Sequence, residues 1–234
     1  MTINNFNFKT ESIESILKTV DNKSEFLSLY KSALKQVLEN NTCNKLLKNL
    51  YLYEKLTFDH SVNVSMIAAA IVYNDKIINI SMLDVINASL FHDIGKTMIN
   101  KQIITGEHKL SKHEKKLISL HPVFGYNMLV NVPISNTAKK GVLYHHSNMS
   151  GTGYPNKLSN KEIPDIGKII KIADVYDALV SKRSYKEAKN PIDAGKYILA
   201  HTDTQFDKQF TNTIEKLVNL YIEEESIFYA NKII

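Results

Sequence analysis

Apolar residues recur along this chain at three- and four-residue steps almost from end to end, with no convincing alternating run of strand length. Between Thr10 and Leu50, Ile13, Ile16 and Leu17 are followed by Phe26, Leu27, Tyr30, Leu34 and Leu38, a pattern that predicts two helices broken at Asp21 or Asn22. A helix beginning near His60 places Val64, Ile67 and Ile71 on that histidine's face. Another runs from about Met82, with Val85, Ser89 and His92 in register towards its C-terminal end. Ser111 followed by Glu114 is a capping-box pattern, so a helix starting there presents Leu117 and His121 together, and Pro122 bends or restarts it. A helix from about Ser135 brings Val142 into register with His145 and His146, and one from about Asp165 stacks Ile166, Ile170 and Asp174. Asn190-Pro191 reads as a cap and a first-turn proline, and the last helix covers roughly Gln209 to Glu225. The expected class is all-α, with 1–44 a short N-terminal helical extension and 45–234 the domain that carries the histidines. No Pro/Gly-rich linker marks that boundary.

Five of the eight histidines form one ordered series: His60, His92 followed by Asp93, His121, and adjacent His145 and His146, closed by Asp174. Each sits on, or at the end of, the apolar stripe of its own helix, where a polar group is costly unless paired or bound to metal. Imidazoles and carboxylates are the donors that hold iron, manganese and zinc. Seven such groups are too many for one ion with an open position. They suit two ions sharing a carboxylate, the arrangement that clamps both sides of a phosphoryl displacement. Adjacent residues on a helix diverge by about 100°, so Asp93 can lie between two ions while His92 serves one. Taken singly, each has a plainer reading: His60 or His121 as a hydrogen-bonded core histidine, Asp174 as a buried carboxylate paired with Arg183.

Composition narrows the setting. Cys43 is the sole cysteine, which excludes a disulfide framework and fits a reducing cytoplasm, with the thiol itself a small buried residue. No segment approaches the roughly 18 uninterrupted apolar residues of a membrane span, and Met66 to Tyr73 reads as a core helix. The first residues lack the pattern of a signal peptide. A net charge of +5 suits an anionic ligand, but its lysines are scattered over solvated faces, and no nucleic-acid polymer is expected as a partner.

Three segments complete the picture: HDIGK from His92 to Lys96, HHSNMSGTGYP at 145–155, and DVYDALVSKRSYK from Asp174. In this order they resemble the HD-GYP family, a branch of the HD metal-dependent phosphohydrolases known for hydrolysing cyclic di-GMP, and the likeness covers about Tyr51 to Phe210. The resemblance implies an HD-domain helical bundle with one ion on His60, His92, Asp93 and Asp174. The second ion shares Asp93 and takes His121, His145 and His146. Two divalent ions, iron or manganese ahead of zinc, would hold the attacking hydroxide, making Asp93 and Lys96 the catalytic residues, with Lys96 on the scissile phosphate. Lys96, Gly153, Tyr154, Pro155, Arg183 and Lys186 fall where the family binds substrate. A planar guanidinium plus a flexible ammonium suits a phosphodiester. Tyr154 either meets the substrate or anchors its loop, and Asp177 orients a histidine ligand. The implied reaction opens cyclic di-GMP to pGpG, with GMP as a further product.

Departures from the family keep other readings in play. Ser147 and Ser150 stand where the family usually carries acidic residues near the site entrance, which bears on substrate preference. Leu56 occupies the position of a glutamate that supports a third metal in some members, so two ions are expected. An HD phosphohydrolase for another cyclic dinucleotide or nucleotide is the first alternative. A non-catalytic signalling or binding module is the second, although the complete ligand set argues against it. The extension fits a remnant, a dimerisation element or a lid, and a homodimer or a signalling partner protein stays open.

Overall fold

The computed structural model describes residues 1–77, 79–106, 108–182 and 187–230. Among them every extended element is helical, apart from an isolated bridge between Thr202 and Phe206. The first helices are α1 (Glu11–Lys18), α2 (Lys23–Glu39) and α3 (Asn41–Tyr53). Then come α4 (Lys55–Asn74), α5 (Met82–Phe91), the short α6 (Lys101–Thr105) and α7 (Lys112–Ile118). The remainder are α8 (His121–Leu129), α9 (Asn136–Tyr144), α10 (Asp165–Val180), α11 (Pro191–Ala200) and α12 (Asn212–Ala230).

Local capping chemistry explains where these helices begin. Thr10, Asn22, Ser81, Ser135 and Asn190 each accept a backbone N–H from the first turn that follows, and Ser111 with Glu114 forms the expected reciprocal box. Four boundaries differ from the sequence reading. The stretch from Thr10 to Leu50 holds two breaks, because Asn40 turns extended and accepts from Thr42 and Cys43, starting α3. α4 begins five residues before His60, where the Glu54 side chain caps Thr57. α7 ends at Ile118, so Leu117 and His121 lie on different helices, with Pro122 in the first turn of α8. Gln209 lies in a 3-10 turn after Asp207 accepts its N–H, and the last helix starts at Asn212.

The core is built around α4. Every residue from Thr57 to Val72 except Asp59 is buried. By length and a mean hydropathy of 1.2 this helix could cross a membrane, yet 72% of that stretch is enclosed by the rest of the protein. α5 and α10 pack along it, α9 packs across both of those, and α1, α3 and α12 close other sides. Residues of the first two helices, among them Ile13, Ile16, Phe26, Tyr30 and Leu34, belong to the same continuous apolar cluster. Tyr30 and Ser65 hydroxyls meet at 2.6 Å inside it. Cys43 is buried there too, and burial pushes its thiol up to about 11. The segment after α11 is structural: Phe206 and Phe210 are buried, and Asp207 pairs with the buried Lys168 of α10 at 2.9 Å.

Candidate metal centre

The ends of the central helices converge on one point. His60 comes from the second turn of α4, His92 caps the end of α5, His121 opens α8, His145 caps α9, and Asp174 lies on α10. Three of the imidazoles share one device. Nδ1 of His92, His121 and His145 lies 2.7 Å from the carbonyl oxygen three residues earlier, on Ser89, Ile118 and Val142 respectively. Those carbonyls belong to last helical turns, where the donor four residues on is missing, although the Ser89 carbonyl also takes the His92 N–H at 3.5 Å. Each ring therefore donates from Nδ1 and turns the Nε2 lone pair inward, the tautomer a metal requires.

The inward nitrogens stand where ligands of an ion stand. Nε2 of His121 lies 3.2 Å from Nε2 of His145 and 3.2 Å from Asp93 Oδ1. Two lone pairs facing each other repel unless a cation joins them. Ligands of one ion stand roughly 3.0–3.4 Å apart when each bond is ~2.1 Å and the angle between them is near 90–110°. His92 Nε2 is buried, 3.3 Å from Asp93 Oδ2, and has no hydrogen-bond partner among the described residues. His60, His92 and Asp174 offer atoms within 4.8 Å of one another, as do His121, His145 and His146. His92, Asp93 and His145 form a third such group between them. The residues fit a binuclear divalent-metal site with Asp93 in the middle. All seven sequence-derived ligands are brought together.

Their electrostatics match. Burial holds His121 down to about 4 against the attraction of Asp93, and holds His145 and His146 well below the usual imidazole range. These rings are neutral donors at ordinary pH. His60 is the exception: burial lowers it, but hydrogen bonds to Asp174 at 2.9 Å and Asp177 at 2.6 Å outweigh that and raise it to about 9. Burial opposes ionisation of Asp93 and Asp174, yet the Lys96 ammonium holds the first, and His60 the second, well below the carboxylate range.

Lys96 Nζ lies 2.5 Å from Asp93 Oδ2, at the edge of a cavity of about 710 Å³ that also reaches His60, Leu56 and Asp177. That volume lies within the range of small-ligand sites. Leu56, 74% exposed at the cavity wall, offers no metal donor, and Glu54 beside it caps α4. Tyr154 packs on the histidine cluster, its ring 4.6 Å from that of His146 and tilted by 30°. Gly153 permits this close approach, since a Cβ there would fall 2.2 Å from the His146 carbonyl oxygen. Pro155 follows through a cis peptide bond. Ser147 is buried, with a hydroxyl that has no hydrogen-bond partner among the described residues. Arg183 and Lys186 lie outside the described residues.

Sequence reasoning missed three neighbours. Asn63 and Ser12 hydrogen-bond Asp177. Asn63 follows His60 by three positions, a spacing that puts both on one face of α4. Lys171, one turn before Asp174, is buried, and burial lowers its ammonium to about 8 against the pull of Asp174. A lysine inside the apolar stripe of α10 was its visible signal.

The family model described as an HD domain matches residues 31–210. The chain belongs to the HD domain family. Within that family it is similar to a 3′3′-cGAMP-specific phosphodiesterase of Vibrio cholerae, 34% identical over 146 residues, 62% of this chain and 27% of that protein. A cyclic di-GMP phosphodiesterase of Thermotoga maritima is 32% identical over 168 residues, 70% of this chain and 44% of that protein. The chain thus spans less than half the length of these curated relatives. The HD domain of the L. monocytogenes phosphodiesterase PgpH shares the fold, with a TM-score of 0.55 at 20% identity, covering 77% of this chain and 98% of that one. The clustered histidines and aspartates of this chain supply the donor set of a binuclear metal site.

Proposed function

We propose that this protein is a cyclic dinucleotide phosphodiesterase of the HD-GYP type that opens cyclic di-GMP to linear pGpG, with GMP as a further product. The observation that carries the reading is Asp93: one oxygen faces His121, the other faces His92, and Lys96 stands beside it at the cavity. Two divalent ions, iron or manganese, would acidify water and neutralise phosphate charge when bound there. His60, His92, Asp93 and Asp174 would hold one ion, and Asp93, His121, His145 and His146 the other. Lys96 would exchange its bond to Asp93 for a phosphoryl oxygen, placing a cation where negative charge grows. Gly153, Tyr154 and Pro155 would border the substrate, and the family resemblance adds Arg183 and Lys186. A cytoplasmic location and the division into an extension at 1–44 and a domain at 45–234 belong to the same proposal.

A second reading, 3′3′-cGAMP as the substrate, is favoured by the Vibrio cholerae relative at 34% identity. The test is product analysis with both dinucleotides, using protein purified without oxygen and loaded with Fe(II) or Mn(II). A His92→Ala/Asp93→Ala variant runs alongside. Metal-dependent pGpG made by the native chain alone supports the first reading, and faster opening of 3′3′-cGAMP supports the second. A protein holding two ions that opens neither would sink both.

A further inference from the structure

Asp177 fixes His60, and one of the three side chains that hold Asp177 in turn comes from the first helix. Its Oδ2 lies 2.6 Å from His60 Nδ1. Its Oδ1 accepts three bonds: from Ser12 Oγ at 2.6 Å, Asn63 Nδ2 at 2.8 Å and Ser181 Oγ at 3.0 Å. Asn63 Oδ1 in turn accepts from Thr10 Oγ1 at 3.2 Å. Thr10 is the N-cap of α1 and Ser12 its second residue. α1 thus grips Asp177 directly through Ser12 and indirectly through Asn63, from a segment that precedes the family match at 31–210. Ser12 is 1% exposed, and a short hydroxyl–carboxylate bond in such a place is charge-assisted and shielded from water.

We propose that Ser12 is a positioning residue of the metal centre. Through Asp177 it holds the His60 ring with Nε2 towards Asp174, so α1 is a working part of the site. The inference rests on the two-ion reading and is independent of which nucleotide is cleaved. Outer partners of this kind typically change metal affinity 10- to 100-fold when removed.

α1 contains its own control. Ser15 is also buried, and its hydroxyl donates to the Ser12 carbonyl at 2.9 Å and meets Tyr176 at 2.8 Å without touching Asp177. Ser15→Ala therefore removes one buried hydroxyl from the same helix, together with its bond to the Ser12 backbone, and takes away none of the bonds to Asp177. The experiment titrates Mn(II) into the metal-free full chain and reads the affinity of each ion, with Asp177→Asn as the reference for a lost carboxylate. Ser12→Ala should weaken one ion about 10- to 100-fold, in the direction of Asp177→Asn, and leave the other within about twofold. Ser15→Ala should move neither. Should Ser12→Ala not fold, Ser12→Cys, which keeps the bulk and only a weak donor, takes its place with a smaller loss expected. Equal behaviour of the Ser12 and Ser15 variants overturns the inference alone. A native chain that binds no ion overturns the metal-centre reading and this inference with it.

Discussion

Gly95, the glycine of HDIGK, offers the sharpest test of how the site is assembled. A Cβ at this position would fall 2.0 Å from the carbonyl oxygen of His121 and 2.5 Å from the backbone nitrogen of Gly125. Both obstacles are backbone, so no rotamer change relieves them. The 3-10 turn Ile94–Met98 and α8 would have to part by about 1 Å or more to restore ordinary contact. α8 carries His121 at its first position, so the ligand would move with the helix. Overpacking of this kind costs about 1–3 kcal/mol, and we place Gly95→Ala at or above the upper end because the backbone itself must yield. Gly125 faces it across the same contact and serves as comparison. A Cβ there meets Val142 Cγ1 at 3.0 Å and Ile94 Cγ2 at 3.3 Å, both methyl ends that can shift by tenths of an ångström. Replacing a mid-helix glycine also returns about 0.5–1 kcal/mol, so Gly125→Ala should fall within about 1 kcal/mol of native. Urea unfolding of both metal-free variants, followed by counting bound Mn(II), decides the matter. Gly95→Ala should lose several-fold more stability than Gly125→Ala and keep fewer than two ions. Equal stabilities with two ions bound in each would refute the argument.

The metal-free protein should be most stable near neutral pH. His121 at about 4, with His145 and His146 also held well below the usual imidazole range, contribute stability that is present above about pH 6.5 and lost as pH falls, because the unfolded chain takes up protons first. Asp93, Asp174 and Asp177 act in the same direction at lower pH. His60 works the other way: its contribution is complete below about pH 6.5 and lost as pH rises through about 9. Melting temperatures of chelator-treated protein that stay flat between about pH 5 and 9.5 would contradict this. Ser147→Ala removes a buried hydroxyl that has no partner among the described residues, so unfolding free energy should stay level or rise by up to ~1 kcal/mol. A loss of ~2 kcal/mol or more would show that the hydroxyl has an essential partner.

Much of this site could be read from the sequence, and the reason lies in the helices. The ligands lie on or at the ends of apolar stripes, so periodicity alone brings Val142 with His145, Ser89 with His92, and Ile170 with Asp174. What periodicity could not show is that the stripes end at the ligands. His92, His121 and His145 sit at or just beyond last turns, where a carbonyl three residues back fixes the tautomer. Boundaries were harder because capping outweighs period: Asn40 splits an apolar run that reads as continuous, and Glu54 starts α4 a turn before its apolar face begins. The contact between Ser12 and Asp177 spans 165 positions, and a serine in an amphipathic helix carries no mark of its distant partner.

That difference has a physical basis. Ligands are constrained twice, by the ion they hold and by the helix that aims them, and both constraints leave a residue type at a fixed spacing. Supports are constrained once, by a hydrogen bond that serine, threonine or asparagine could each supply from almost any element. Asp177 shows both cases in one residue: its link to His60 follows from lying one turn after Asp174, while its grip by α1 follows only from the packing of the first helix against α4 and α10. A bundle built this way can keep its metal ligands readable while changing which segment holds them in place. α1 is the element of this chain where such a change would alter metal binding without altering a single ligand.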